Sequence, residues 1–214
     1  MTKRAIITGG SGGLGTAIAA ELRGHGWQVE ALGSKDLDLL DDGAITAYFR
    51  HREPDLLVCA AGMIRDAPLA RLDETAWDET YSVNFRAARQ SAEAVLPGMA
   101  ERGHGHIVFI SSQSAIHPPV GQAAYATAKA ALLGLTTDLA RRHGNRNIRI
   151  NTVLPGFLET PMTRSVSEKR SSEVLAAHHL GRFNTPAAVA AFIRFLHEEL
   201  PHTSGQVFRL DSRD

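Results

Sequence analysis

The sequence predicts an α/β protein, a doubly wound parallel sheet with helices on both faces, and three features predict it. Short apolar runs alternate with helical patterns along the chain, the apolar runs are nearly continuous, and a glycine-dense turn joins the first run to the first helical pattern. Strands covered on both faces need such continuous runs, and strand–helix alternation implies parallel crossovers. Strand 4–8 begins the series. Helix 13–24 sets Leu14, Ile18 and Leu22 on one face, with Gly24 and Gly26 as stops. Strand 27–32 leads through a short polar segment to helix 42–52, which Pro54 cannot continue. Strand 56–60, a long helix 74–101, strand 105–111, helix 122–143 and strand 147–153 follow. Residues 157–182 lack clear periodicity and mix Ser165, Ser167, Ser171 and Ser172 with charges of both signs. Helix 186–198 has Thr185 as N-cap and Pro186 in its first turn, and strand 206–210 closes the pattern.

With 214 residues and 43% hydrophobic content, the chain can bury the core of one domain spanning 1–214. Formal charge is zero and there is no long basic run, so no nucleic-acid partner is expected. No apolar stretch nears the roughly 20 residues of a membrane span. The lone cysteine, Cys59, excludes an intrachain disulfide and reads as a small core residue. Met1-Thr-Lys-Arg runs straight into the first strand, which leaves no secretory signal and implies a cytoplasmic protein. Of ten histidines, the most suggestive are His104 and His106 around Gly105 and the pair His178-His179. None has a carboxylate or cysteine at ligand spacing, so no metal site is expected.

Two motifs carry chemistry. In Thr8-Gly9-Gly10-Ser11-Gly12-Gly13-Leu14-Gly15, glycines permit a tight turn and close backbone approach, while free helix N–H groups attract a pyrophosphate. This is the signature of a Rossmann-type dinucleotide site. Downstream, Tyr125 and Lys129 lie one helical turn apart, in Gln122-Ala-Ala-Tyr125-Ala-Thr-Ala-Lys129. An adjacent ammonium favours phenolate, so the tyrosine pKa is expected to fall from about 10 toward a value suited to proton exchange. Ser112 ends the apolar run Gly105-His-Ile-Val-Phe-Ile-Ser-Ser112, at the strand end where open α/β sheets bind ligands.

The glycine turn admits two spacings. Gly10-x-Gly12-x-x-Gly15 is the general dinucleotide fingerprint, whereas Thr8-Gly9-x-x-x-Gly13-x-Gly15, followed in order by Asn84, Ser112, Tyr125 and Lys129, resembles the short-chain dehydrogenases/reductases. Similarity extends over essentially the whole chain and is nearest to the 3-oxoacyl-thioester reductases. The resemblance implies an NAD(P)(H)-dependent oxidoreductase acting between a carbonyl and an alcohol. Asn84, Ser112, Tyr125 and Lys129 would then be its catalytic tetrad, with Asn84 holding a water in a proton relay or, on its own chemistry, bonding backbone at a helix kink. It implies cofactor contacts from Thr8, Gly9, Ser11, Gly13, Leu14 and Gly15, from Ala60, Ala61 and Gly62, from Tyr125 and Lys129, and from Pro155, Gly156, Leu158 and Thr160. It also implies a substrate lid at 157–182, where an ordinary surface helix is the other reading, and a homotetramer or homodimer built on helices 74–101 and 122–143 and on the strand at 206–210. His117, in the loop after the serine strand, becomes a candidate substrate contact.

The chain departs from the family in two places. The helix that normally follows the second strand is missing, which brings Asp38, similar to an adenine-contacting aspartate but equally a solvated turn residue, close behind Ser34 and Lys35. The family's Asn-Asn-Ala-Gly is Cys59-Ala60-Ala61-Gly62. Gly33 stands where NAD-specific members carry an acid for the ribose 2′-hydroxyl, and Ser34 and Lys35 offer a hydroxyl and an ammonium to a 2′-phosphate, so NADP(H) is favoured over NAD(H). Two other readings use the same motifs: a catalytically eroded, cofactor-binding regulatory protein, and a sugar-nucleotide epimerase or dehydratase. The complete tetrad speaks against the first, and the short stretch after strand 147–153 against the second.

Overall fold

A computed structural model describes residues 2–164 and 166–213; Ser165, one of the serines of the 157–182 segment, lies outside the described residues. Six parallel strands form one sheet: β1 (Arg4–Thr8), β2 (Gln28–Leu32), β3 (Leu56–Cys59), β4 (Gly105–Ile110), β5 (Ile148–Leu154) and β6 (Val207–Arg209). Their order is β2-β1-β3-β4-β5-β6. Winding reverses between β1 and β3, and the crevice at the carboxyl ends of these strands is where such sheets take ligands. All six strands fall where the apolar runs place them.

One face is covered by α1 (Gly13–Gly24) and α7 (Pro186–Glu198), the other by α2 (Asp42–Phe49), α4 (Ala87–Arg102) and α5 (Ala123–His143). The first face buries Ile18, Leu22, Val58, Val108, Ile193 and Leu196, the second Phe49, Leu57, Met99, Phe109, Leu132 and Ile150. Thr185 caps α7 by accepting from Ala188 N at 3.1 Å, as its position before Pro186 requires. Asp41 caps α2 through Gly43 N and Ala44 N, and α2 stops at Phe49, three residues short of the predicted end.

The long predicted helix 74–101 is instead two helices, α3 (Glu74–Tyr81) and α4, joined by a π-turn at Ser82–Arg86. Within 157–182 a short helix, α6 (Glu168–Ala176), is capped by Ser167. No helix lies between β2 and α2: Ser34–Asp36 make a turn instead, and Leu37 drops into the core. That leaves β2 as the sheet edge. Arg23 occupies the Val29 carbonyl there at 3.0 Å, and Glu30 is held by Tyr48 at 2.6 Å, so polar groups guard the edge.

At the opposite end of the sheet from the crevice, two histidines are packed into the interior. His106 is fully buried, 3.0 Å from Asn151 Nδ2, and stacks on His197 at 5.5 Å, whose other neighbour is the Trp27 ring. Arg149 donates to the carbonyls of Leu196, His197 and Leu200 at the end of α7. Burial, reinforced by Arg149, holds His106 well below the usual histidine range and His197 at about 4. The unfolded chain therefore takes up these protons first, near pH 6.5, and stability present above that pH is lost as pH falls toward 4. His197 alone should cost about 2 kcal/mol by pH 5. Urea denaturation at pH 7.5 and 5.0 checks this: His197→Gln is expected to flatten the profile, and equal slopes for both proteins would refute the assignment.

Candidate active site

Each element ending at the crevice delivers one part of the site. After β1, Gly9 adopts φ +72° and Gly10 N donates to Leu32 O at 2.7 Å, binding the turn to β2. A Cβ on Gly9 would lie 2.6 Å from the Ala61 backbone, and one on Gly15 2.2 Å from Gly9 O, so the turn tolerates no side chain at either position. Thr16 Oγ1 donates to Gly10 O at 3.0 Å. Gly12 begins α1 without any side-chain cap, which leaves the first N–H groups of a twelve-residue helix facing the crevice. Thr160 stands opposite, 2.9 Å from where a Gly13 Cβ would be. An uncapped helix start, a turn of obligatory glycines and a facing threonine fit a dinucleotide pyrophosphate.

Beyond β3, Ala60 N donates to Thr8 O at 3.2 Å, and Ala61 and Gly62 follow. A Cβ on Gly62 would meet Asn84 Oδ1 at 3.2 Å, Met162 Cε at 3.4 Å and Lys129 Nζ at 3.9 Å. Asn84, in the π-turn, donates from Nδ2 to Met63 O at 2.7 Å and Thr80 O at 2.8 Å, and its Oδ1 accepts from Met63 N at 3.3 Å. Both amide protons are thus engaged with backbone, the helix-kink bonding considered from sequence. One Oδ1 lone pair is left toward the lysine side.

Ser112 follows β4 and accepts from Ser114 N at 3.1 Å, which orients its hydroxyl. That hydroxyl hydrogen-bonds to the Tyr125 phenol. Ser111 Oγ donates to Lys129 O at 2.8 Å and so ties the strand end to α5. Lys129 is 3% exposed; its Nζ donates to Ile110 O at 2.9 Å and reaches Ala61 O at 3.5 Å.

The electrostatics correct one expectation. Burial drives the Tyr125 phenol above its usual value, the Ser112 hydrogen bond offsets part of that rise, and the charge of Asp66 adds to it. The lysine does not outweigh burial: Nζ sits 5.7 Å from the tyrosine ring centroid and donates to backbone carbonyls. Burial instead pulls Lys129 down to about 8. At neutral pH the site holds a protonated phenol beside a cation that is itself easily discharged, the state needed to donate a proton.

Sequence reasoning missed Asp66. Gln122 Nε2 donates to Asp66 Oδ2 at 2.9 Å, Ser114 Oγ donates to Gln122 Oε1 at 2.9 Å, and Ala67 N donates to Gly121 O at 3.0 Å. These bonds pin the loop after β3 to the loop before α5. Asn184 was missed as well: its Nδ2 donates to Pro155 O at 3.0 Å and Leu210 O at 2.8 Å, fixing the turn in which Gly156 takes φ +81°. Leu158 bridges to Asn184, and Thr160 caps a short turn at Pro161–Thr163.

Around the nucleotide end of the crevice, Asp38 Oδ1 accepts from Leu40 N at 2.9 Å, the behaviour of a turn aspartate. Ser34 and Lys35 are exposed on the turn after β2. A Cβ on Gly33 would lie 2.7 Å from Ser11 Oγ and 3.0 Å from Ser11 Cβ, so this strand end packs closely on the glycine turn. His117 is exposed. Among the described residues no cluster of three or more His, Cys, Asp or Glu side chains is arranged to hold a metal, and no helix is long and apolar enough to cross a membrane.

Comparison with known proteins agrees with this geometry. The model of the short-chain dehydrogenase family matches residues 35–171. A 3-oxoacyl-[acyl-carrier-protein] reductase of Thermotoga maritima is 41% identical over 73% of this chain and 64% of its own length. The Escherichia coli protein of the same name is 31% identical over 98% of this chain and 96% of its own. Among solved structures, one described as an NAD(P)-dependent gluconate 5-dehydrogenase from Beutenbergia cavernae, with bound NADP at low occupancy, superimposes with a TM-score of 0.90 at 28% identity, covering 98% of this chain and 95% of that one.

Proposed function

The chain belongs to the short-chain dehydrogenase/reductase family, and from that premise we infer that it is an NADP(H)-dependent oxidoreductase interconverting a carbonyl and an alcohol, with a 3-oxoacyl thioester as the leading substrate class. The observation that carries this reading is the convergence of Ser112, Tyr125 and Lys129 beside Gly62, across the crevice from an uncapped glycine turn. The named reductases from two bacteria support the substrate class. The neighbour's NADP and the hydroxyl and ammonium of Ser34 and Lys35 support the cofactor.

When bound, the nicotinamide supplies or accepts the hydride. In reduction, negative charge grows on the carbonyl oxygen, and the chain's donors meet it there. Tyr125 Oη holds a proton at neutral pH because burial and Asp66 disfavour phenolate, and it delivers that proton to the oxygen. Ser112 Oγ gives a second hydrogen bond and, with Ser114 N fixing its position, orients the substrate. Lys129 Nζ, beneath the tyrosine ring, stabilises the phenolate left behind and holds ribose hydroxyls. Asn84 keeps the backbone at Met63 in place under the lysine and offers its free lone pair to a relaying water. Thr8, Gly9, Ser11, Gly13, Leu14 and Gly15 cradle the pyrophosphate, Ala60, Ala61 and Gly62 border the ribose, and Pro155, Gly156, Leu158 and Thr160 close the nicotinamide side. Residues 157–182, α6 included, cover the substrate. In oxidation the same atoms work in reverse.

A spectrophotometric screen of NADPH oxidation across acetoacetyl thioesters, cyclic ketones, keto sugars and aldehydes tests the reading. Turnover of an acetoacetyl thioester is expected, and no NADPH consumption with any carbonyl would overturn it. A cytoplasmic homotetramer or homodimer completes the proposal, with α4 and α5 forming one contact and the β6 edge the other. Light scattering at micromolar concentration is expected to give two or four chain masses; a single chain mass throughout would remove the assembly.

A further inference from the structure

A buried carboxylate packs behind the turn at Pro155–Gly156, and the reaction as derived above does not use it. After β6 the chain runs on beside that turn: Leu210 N donates to Leu154 O at 2.9 Å, and Asn184 bridges Leu210 O and Pro155 O. The Asp211 side chain, 1% exposed, lies directly on Gly156, where an added Cβ would stand 2.5 Å from Asp211 Cβ and 3.4 Å from its Oδ2. Its counter-charge is Arg213. Nε and Nη2 of that guanidinium lie 2.8 and 2.7 Å from Asp211 Oδ2, and among the described residues Oδ1 is buried without a partner. The residue between them reaches the other way: Ser212 O accepts from His179 N at 2.9 Å, and Ser212 Oγ accepts from Leu180 N at 3.3 Å. Both donors lie just beyond the end of α6. His178 beside them is buried, its Nδ1 donates to Val174 O at 2.7 Å, and its ring meets Phe183, which packs on Phe157 next to Gly156. Three consecutive residues therefore hold both the Gly156 turn and the end of the segment 157–182.

We propose that Asp211, Ser212 and Arg213 form a clasp, in which the ion pair seats the tail against Gly156 and Ser212 thereby holds the segment 157–182 shut over the substrate. The proposal rests on the reading of that segment as the substrate cover and deepens it. A buried carboxylate is tolerated only while it is paired. Without Arg213 neither Asp211 oxygen has a partner among the described residues, so the tail must leave Gly156 to hydrate the charge. Leaving withdraws both Ser212 acceptors from His179 N and Leu180 N. Little else resists opening, because Val174 is the one residue of α6 that is buried. Asp211 and Arg213 thus act through Ser212, as positioning residues.

Arg213→Ala and the double variant Asp211→Asn with Arg213→Ala separate the charge from the bulk of the side chains, because the second removes the carboxylate that the first leaves unpaired. Trypsin reads the cover without any turnover, since Lys169 and Arg170 lie on α6 and are cut when it opens. Arg213→Ala is expected to be cleaved there on the order of tenfold faster than the wild type, while cuts outside 157–182 keep their rate and the double variant returns most of the way. With NADPH and an acetoacetyl thioester, Arg213→Ala should raise the KM for the thioester on the order of tenfold and change kcat by less than about twofold. A general loss of folded protein would lower the apparent kcat instead. Wild-type cleavage of α6 in Arg213→Ala, faster cleavage throughout the chain, or a double variant cleaved as fast as Arg213→Ala overturns the clasp. So does faster cleavage of α6 with an unchanged KM, because the opened segment would not then cover the substrate. A wild type that turns over no carbonyl overturns the oxidoreductase reading, and the cleavage rates alone then decide the clasp.

Discussion

Tyr125→Phe is expected to abolish turnover by roughly 10²–10⁴-fold while leaving the nucleotide dissociation constant unchanged. The ring, its packing and its place above Lys129 survive the substitution; only the hydroxyl that hydrogen-bonds to Ser112 is removed. Because burial and Asp66 keep that hydroxyl protonated at neutral pH, the loss falls on proton delivery to the developing oxyanion. The pH profile adds an independent check. Lys129 is held at about 8 by burial, so the reduction rate should decline as pH rises through that value and the ammonium that stabilises the departing phenolate is discharged. Single-turnover kinetics with NADPH measures both effects. A folded Tyr125→Phe protein with near-normal rate would remove tyrosine from the mechanism, and a rate independent of pH from 7 to 9 would remove the lysine.

The sheet was legible because buried parallel strands impose continuous apolar runs, and those of β3 and β4, 4 and 6 residues long, have the length of strands rather than helices. Thr185 before Pro186 marked the start of α7 for a local reason, a side-chain acceptor followed by a residue without an N–H. The π-turn at Ser82–Arg86 was not legible, since one extra residue per turn leaves the apolar pattern on either side intact. Asn84 was found by its motif, but its bonds to Met63 and Thr80 depend on where the chain after β3 returns.

The tyrosine–lysine pair shows the same division at the site. Helical spacing correctly put both residues on one face of α5, yet the direction of the phenol's pKa followed from tertiary structure. Lys129 turned to the Ile110 carbonyl at the end of β4, and Asp66 arrived from a loop that carries no motif. Asp36 is a comparable case: aspartates in turns usually bond forward in the chain, and this one bonds backward, accepting from Gly33 N.

The largest loss of nucleotide affinity is expected from Gly15→Ala. Its Cβ would stand 2.2 Å from Gly9 O, 2.8 Å from Gly9 C and 2.9 Å from Gly10 Cα, all backbone atoms, so no side-chain rotation relieves the contact. Either α1 withdraws from β1 or the glycine turn opens, and each movement takes the uncapped N–H groups of α1 away from the pyrophosphate. Overpacking of this kind costs about 1–3 kcal/mol of stability. Nucleotide binding should fall further, by on the order of a hundredfold, because several donors lose alignment together. Gly24→Ala is the internal comparison: at the far end of the same helix an added Cβ meets nothing within 4 Å, and replacing a helical glycine should raise stability by about 0.4–1 kcal/mol. Thermal unfolding and NADPH titration of both variants measure the contrast. Were Gly15→Ala to bind NADPH as tightly as Gly24→Ala, the close approach of α1 to the turn after β1 would not be what forms the phosphate site.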